Sequence, residues 1–238
     1  MGYRELPPPP RLRALVECGW ERTGPDGPAR ILPDGCMDLI RMDGRIVVAG
    51  PDSAAYLSAA TDEPIAGLRF RPGVLPRLLG VPANRLRNTR IPLGEVCDPV
   101  RGRSLAVIAE ALAAQAPRTE TAPWSLPALA RVTARLGSGA AVQTVADELG
   151  WSPRTLQRQC GAIYGYGPAT LRRILRFRRA MRLVGEGLPA AEVAARVGYA
   201  DQPHLHREVR DLAGVPLGQL GSGANRSTQL PSGSATVA

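Results

Sequence analysis

Val145-Ala146-Asp147-Glu148-Leu149-Gly150-Trp151-Ser152-Pro153-Arg154-Thr155-Leu156-Gln157-Arg158 and Val193-Ala194-Ala195-Arg196-Val197-Gly198-Tyr199-Ala200-Asp201-Gln202-Pro203-His204-Leu205-His206-Arg207 are two settings of one pattern. The offset between them is 48 at Val, Ala and Gly, and 49 at Leu and Arg. Each copy closes on a Gly–Pro pair, Gly165-x2-Pro168 and Gly214-x-Pro216. In the first copy Val142, Val145, Ala146 and Leu149 fall at i, i+3, i+4 and i+7, the apolar stripe of a short helix. Gly150 supplies a residue free to take positive φ where that helix must stop. Ser152-Pro153 then reads as an N-cap followed by proline at the first helical position.

The second helix of the first copy buries Leu156, Cys160 and Ile163. Arg154, Gln157 and Arg158 are left on its outward face. In the second copy Ala190, Val193, Ala194 and Val197 form the stripe, Gly198 the turn and Asp201 the cap. Leu205, Val209 and Leu212 face inward, with Gln202, His204, His206 and Arg207 outward. Two short helices on a tight glycine turn, with arginine and glutamine projecting from the second, suit the DNA major groove. Because the two outward faces differ, the two helices are expected to read different base steps. Each good bidentate pair is worth about 1–3 kcal/mol of discrimination.

Residues 167–187, between the copies, keep helical spacing at Ile174, Phe177, Met181 and Val184 and read as one rigid spacer. Its arginines have a bland reading as a solvated face. Their position between two groove-reading units instead marks Arg172, Arg173, Arg176 and Arg179, with Ser152, as candidate phosphate contacts.

These residues resemble the AraC/XylS type of helix-turn-helix regulators over Leu126 to about Leu220. The resemblance rests on Val145-Ala146 with Gly150, Leu156-Gln157-Arg158, Arg176-Phe177-x2-Ala180, and Glu192-Val193-Ala194-x2-Val197-Gly198-Tyr199-x-Asp201-Gln202 with Arg207. It implies seven helices, the third and sixth entering the major groove, and base contacts from Arg154, Gln157 and Arg158 and from Gln202, His204, His206 and Arg207. An aromatic is usual where this chain has Cys160 and Val209, which predicts looser packing of both reading helices. Pro203 offers no side-chain hydrogen bond, and Gly214-x-Pro216 is one residue shorter than the usual spacing.

Composition points the same way. All 30 basic residues are arginine, and the formal net charge is +9. Residues 1–120 hold 16 arginines against 14 acids, residues 121–238 hold 14 against 7. Positive charge thus gathers where the repeat lies, as phosphate binding requires. No apolar stretch approaches ~18 residues and no signal-peptide core follows Met1, so a cytoplasmic protein with no membrane partner is expected. Cys18, Cys36, Cys97 and Cys160 form no C-x-x-C pair, and neither metal nor cofactor is expected.

The fold class expected is α+β: a small β-rich domain at 1–112, a linker at 113–125, an all-α double helix-turn-helix domain at 126–220, and a tail at 221–238 without order. In the first domain Cys36–Met42 reads as a strand, Asp43-Gly44 as a hairpin turn and Arg45–Ala49 as the return. Ile65–Phe70 reads as a strand, Val74–Leu79 and Asn84–Arg87 as helical turns, Ser104–Ala114 as a helix. The stretches 32–40 and 67–73 resemble a small β-rich domain found ahead of AraC-type modules in actinobacterial regulators. That resemblance implies a sensor or assembly role. Cys36, Asp38, Arg69 and Arg71 are the candidate pocket; an ion pair on a strand surface is the structural alternative and the weightier one.

The function expected is a sequence-specific regulator of transcription acting on double-stranded DNA. RNA polymerase, a small-molecule effector and a second copy of the chain are compatible partners. An architectural DNA-binding protein with little sequence preference is the alternative. An enzyme is less favoured, because both histidines lie in the repeat and the first 112 residues hold neither a histidine base nor a phosphate loop.

Overall fold

The computed structural model describes residues 2–23, 28–98, 104–118, 120–221 and 228–229. The N-terminal half is built on six strands: β1 (Gly2–Leu6), β2 (Val16–Thr23), β4 (Met37–Met42), β5 (Arg45–Ala49), β7 (Ile65–Phe70) and β8 (Arg90–Pro92). They form one antiparallel sheet in the order β1-β2-β7-β4-β5-β8. The β4–β5 hairpin turns on Asp43 and Gly44, both at positive φ, as a two-residue hairpin requires. A small ribbon lies beside the sheet, in which β3 (Arg30–Ile31) pairs antiparallel with β6 (Tyr56–Leu57). Of the tail beyond 220, residues 221, 228 and 229 are described, and β9 (Thr228–Gln229) runs parallel to β3.

Alternation gives the sheet two faces. Leu39 stands between Leu68 and Val48, and Met37 opposite Phe70. This apolar face packs on α1 (Val74–Leu79) and α3 (Leu105–Ala113) through Leu75, Leu79, Ile108 and Leu112, and the short α2 (Leu93–Val96) lies against β5 and β8. The other face carries Trp20, Arg22, Asp38, Ile40, Val47, Ile65 and Arg69. Trp20 and Ile40 both stand opposite Gly67, and the Trp20 indole lies where a Cβ on Gly67 would be.

Three departures from the sequence pattern stand out. The helical turn expected at Asn84–Arg87 is a short 3-10 turn at Ala83–Arg85, which follows Pro82. The strands β1 and β2 flank Pro7 to Pro10, a run that masked them. In β2 the residues Glu17 and Arg22 are buried, so burial along that strand does not follow residue polarity.

The C-terminal half has seven helices among the described residues: α4 (Leu126–Gly137), α5 (Val142–Glu148), α6 (Pro153–Tyr164), α7 (Pro168–Gly185), α8 (Ala190–Val197), α9 (Gln202–Ala213) and α10 (Leu217–Gly221). Cys160 and Val209 are both fully buried at the positions where looser packing was expected. The stretch 113–125, read as a linker, is anchored. Thr121 is buried, and Trp124 stacks on Trp151 with ring centroids 5.4 Å apart and touches Tyr164. Arg77 donates to the Trp124 carbonyl at 2.6 Å.

The two halves share one continuous core. Gly73 leaves room for Ile163, Leu129 and Tyr164, and Gly35 lies against Leu171, Leu175 and the Tyr166 hydroxyl. Arg178 of α7 forms a buried ion pair with Glu17 of β2. The expected division into separate units is therefore a division of sequence pattern, while the packing is shared.

Candidate DNA interface

The two copies are built by the same local chemistry. Ser152 Oγ accepts the Thr155 N–H, and Asp201 Oδ1 accepts the His204 N–H at 2.6 Å, so α6 and α9 each start on a side-chain cap. Gly150 and Gly198 sit at φ 66° and 81°. The residue after each glycine donates back to the small residue of the preceding helix, Trp151 to Ala146 and Tyr199 to Ala194, both at 2.9 Å. Ala146 and Ala194 are buried where the second helix crosses. Leu156, Cys160 and Ile163 in α6, and Leu205, Val209 and Leu212 in α9, point into the core.

Arg154, Gln157 and Arg158 are exposed on α6; Gln202, His206 and Arg207 are exposed on α9 and His204 is half-buried. These side chains are not equally free. The Gln157 amide lies against Gly167 at the start of α7, in the space a Cβ there would occupy. His204 Nδ1 accepts the Ala200 N–H at 3.3 Å, and its ring packs edge-on to Tyr199. Gln202 and His206 lie 3.3 Å apart, nitrogen to nitrogen, across one turn. Arg154, Arg158 and Arg207 are thus the least engaged of the seven.

The spacer arginines divide by partner. Arg173 meets both Glu208 oxygens at 3.0 Å and Asp211 at 3.0 Å. Arg176 reaches Glu208 at 3.5 Å, donates to the Gly198 carbonyl and lies 4.3 Å over the Tyr199 ring. Both therefore tie α7 to the second helix-turn-helix unit. Arg172 and Arg179 make no ion pair with a described residue. Arg179 lines a cleft of about 350 Å³ between α4, α7 and the N-terminal half, together with Arg71. Sequence spacing located these arginines; only the fold shows which already have a carboxylate.

Both α6 and α9 are also held at their C-terminal ends by the N-terminal half. Arg87 donates to the Gly165 carbonyl at 3.3 Å, just past α6. Arg30 donates to the Ala213 carbonyl at 2.9 Å, and the Ala55 N–H to the Leu212 carbonyl at 2.7 Å, at the end of α9. Unpaired carbonyls at a helix C-terminus favour cationic donors. No sequence signal pointed to Arg30, Ala55 or Arg87, because their partners lie more than 70 residues away.

Cys36, Asp38 and Arg69 do converge, as a charge cluster packed around itself. Arg69 is at ion-pair distance from Asp34 (3.2 Å), Asp38 (3.5 Å) and Glu5 (3.6 Å), and Trp20 Nε1 donates to Asp38 at 2.8 Å. The space left among them is about 30 Å³, room for about one water. Burial raises Asp38 to about 6, against the pull of Arg69 and the Trp20 N–H. Burial and the neighbouring Asp34 push the Cys36 thiol well up, so it is not a reactive thiolate. Arg71 is not part of the cluster. The strand ends at Phe70, and Arg71 turns away to the Arg13 carbonyl. No three His, Cys, Asp or Glu side chains among the described residues could hold a metal ion, and no helix among them is long and apolar enough to cross a membrane.

Two stretches of the chain match families of known proteins. Residues 145–222 match the family model described as a helix-turn-helix domain, and residues 4–92 one described as a domain of unknown function (DUF6597). Among solved structures the chain is similar to ToxT from Vibrio cholerae O395, with a TM-score of 0.46 and 10% identity over 92% of this chain and 96% of that one. A second crystal form of ToxT from Vibrio cholerae gives a TM-score of 0.48 and 12% identity over 92% and 97% of the two chains. No curated protein matches.

Proposed function

We infer that this chain, a DNA-binding regulator of transcription with an AraC-type helix-turn-helix domain behind a second domain of unknown function, reads its operator with two helices at once. The observation that carries this reading is the duplicated unit itself. The α6 and α9 helices start on equivalent caps, follow equivalent glycine turns and are joined by one 18-residue helix, α7. Their outward faces differ in chemistry, which serves sequence reading; a binder without preference needs only phosphate contacts and deformable DNA.

In this reading α6 and α9 enter successive major-groove segments about one helical turn, ~34 Å, apart on one side of the duplex. Arg154, Arg158 and Arg207 make the principal base contacts, with Gln157, Gln202, His204 and His206 joining after local rearrangement. Ser152 and Arg172 are best placed for phosphate. Arg173 and Arg176 hold the spacer to α9, and Arg179 serves the backbone only if its cleft faces the duplex. Selection of bound sequences from a random DNA pool, followed by footprinting, tests this. Two short unlike motifs about 10 base pairs apart are expected. Recovery of no enriched sequence, or of one half-site only, would sink the two-helix reading.

A further inference from the structure

Residues 64–94 contain six arginines and no aspartate or glutamate. Four of the six are engaged within the chain: Arg69 by Asp34 and Asp38, Arg90 by Asp52, Arg71 by the Arg13 carbonyl and Arg77 by the Trp124 carbonyl. The other two, Arg85 and Arg87, are exposed on the loop that follows Pro82. Arg87 gives one N–H to the Gly165 carbonyl and has further N–H groups to give. The side chain of Arg85 makes no hydrogen bond or ion pair with a described residue, and neither does that of Asn84, exposed beside it.

An exposed arginine is ordinarily a solvated one; what sets this loop apart is where it meets α6. At 3.6 residues per turn Arg154, Arg158, Gly161 and Gly165 fall within about 60° of arc, one stripe along the helix. Arg154 and Arg158 are exposed, and a Cβ on Gly161 would meet nothing within 4 Å, so the stripe stays open that far. At Gly165 it runs into Pro51 and Ala83, where the loop begins. The loop therefore closes the far end of the face that carries Arg154, ~16 Å along the axis at 1.5 Å per residue. It is also firmly seated. The Gly50 N–H donates to the Thr89 carbonyl at 3.0 Å, the Asn88 N–H to the Pro51 carbonyl at 3.2 Å, and the Ser53 N–H to the Asn88 side chain at 2.8 Å. A Cβ on Gly50 would overlap the Leu86 carbonyl, so strand and loop are in backbone contact.

We propose that this loop is a third point of contact with DNA: Arg85, with Arg87 and Asn84 beside it, binds the phosphate backbone bordering the groove that α6 enters. The inference rests on the proposed function, in which Arg154 and Arg158 face the bases. The major groove is ~12 Å wide, so a cationic loop ~16 Å farther along the same face reaches past its edge to the bordering phosphates. Arginine suits that partner, because its planar fork meets two phosphate oxygens at once. A loop already held in place loses little freedom on binding. The N-terminal half is then part of the DNA-binding surface itself, and the first half-site carries a backbone footprint wider than α6 alone accounts for.

Affinity of the full chain for its selected operator, measured across a range of salt concentrations, tests the contact. Arg85→Ala should weaken all sequences alike and take about 0.9 from the slope of log affinity against log salt, so that the wild-type advantage shrinks about 3.5-fold between about 50 and 200 mM. Arg85→Ala/Arg87→Ala should lose about twice that slope, and Arg85→Lys should keep it. Arg45→Ala, also exposed but at the opposite end of β5 from Gly50, should leave the slope unchanged. Hydroxyl-radical footprints of Arg85→Ala should lose protection only beside the half-site read by α6. An unchanged slope and footprint in both alanine variants overturns the contact. An equal loss in Arg45→Ala does so too, because overall charge would then explain it. Loss of preference at particular base pairs would make Arg85 a positioning residue for α6 and overturn the phosphate contact. Each of these results leaves the two-helix reading standing. A wild type that selects no sequence refutes that reading instead, and the slope on unselected DNA then still decides the loop.

Discussion

Gly165→Ala and Gly198→Ala make equivalent changes to the backbone in unlike surroundings. Gly165 has φ 85° at the end of α6, Gly198 φ 81° at the end of α8. Each alanine incurs the left-handed penalty of an L-residue, about 1–2 kcal/mol. At Gly198 an added Cβ meets nothing within 4 Å. At Gly165 it would stand 2.6 Å from Pro51 Cγ and 3.3 Å from the Ala83 carbonyl oxygen, both in the N-terminal half. A proline ring and a backbone carbonyl cannot swing aside, so overpacking adds about 1–3 kcal/mol. For a chain of this length each kcal/mol lowers Tm by roughly 2–4 °C. Gly198→Ala should therefore melt about 2–8 °C below the wild type and Gly165→Ala about 4–20 °C below it. Thermal denaturation followed by circular dichroism measures both. Adding Pro51→Ala to Gly165→Ala removes the nearest obstacle and should return part of the excess, which a double-mutant cycle isolates. Equal losses at the two glycines, with no return in the double variant, would mean the N-terminal half is not seated on α6 in solution.

Other outcomes follow from named contacts. Arg154→Ala should relax specificity at a few base pairs by ~1–3 kcal/mol, whereas Arg172→Ala should weaken all sequences alike and flatten the salt slope by about one unit; competition against random DNA at several salt concentrations separates them. Glu208→Gln takes the carboxylate from Arg173 and Arg176, both partly exposed, and should cost about 1–3 kcal/mol in urea denaturation; an unchanged midpoint would show the pair is ornamental. Asp38 is raised from 3.8 to about 6 in the fold, so the folded state binds the extra proton between those values. Its contribution to stability is therefore fully present below about pH 4 and falls away as pH rises through 6, by an amount on the order of 2–3 kcal/mol. The stability of the wild type relative to Asp38→Asn should fall as pH rises through that window, and a difference independent of pH would refute the burial argument.

The C-terminal half was legible because its signals are local. Gly150 and Gly198, the caps at Ser152 and Asp201, and the stripes of α5 and α8 each act within a turn or two of chain, so periodicity and punctuation reach them. The β4–β5 hairpin and β7 were legible for the same reason. What escaped depends on distant partners. Nothing in the sequence sets Glu17 and Arg22 apart from surface charges until Arg178 is placed beside the first and Ser58 beside the second. Arg173 and Arg179 look alike in sequence, yet Glu208 and Asp211 take up one and leave the other. The fold brings Cys36, Asp38 and Arg69 together, but strand alternation could not show that Asp34 and Glu5 would fill the space between them. Arg71 was grouped with them only because it follows two residues later.

The grip of Arg87, Arg30 and the Ala55 N–H on the ends of α6 and α9 bears on how such chains can be recombined. A chimaera spliced within 113–125 keeps each half's sequence whole but gives its reading helices foreign hands to hold them. Grafting another helix-turn-helix half onto this N-terminal half should succeed only where the graft presents carbonyls and a side-chain-free residue at those same points, Gly165 and Leu212 to Gly214. The natural unit of exchange is larger than either half: it is the pair α6 and α9 together with the surface that keeps its two members in step.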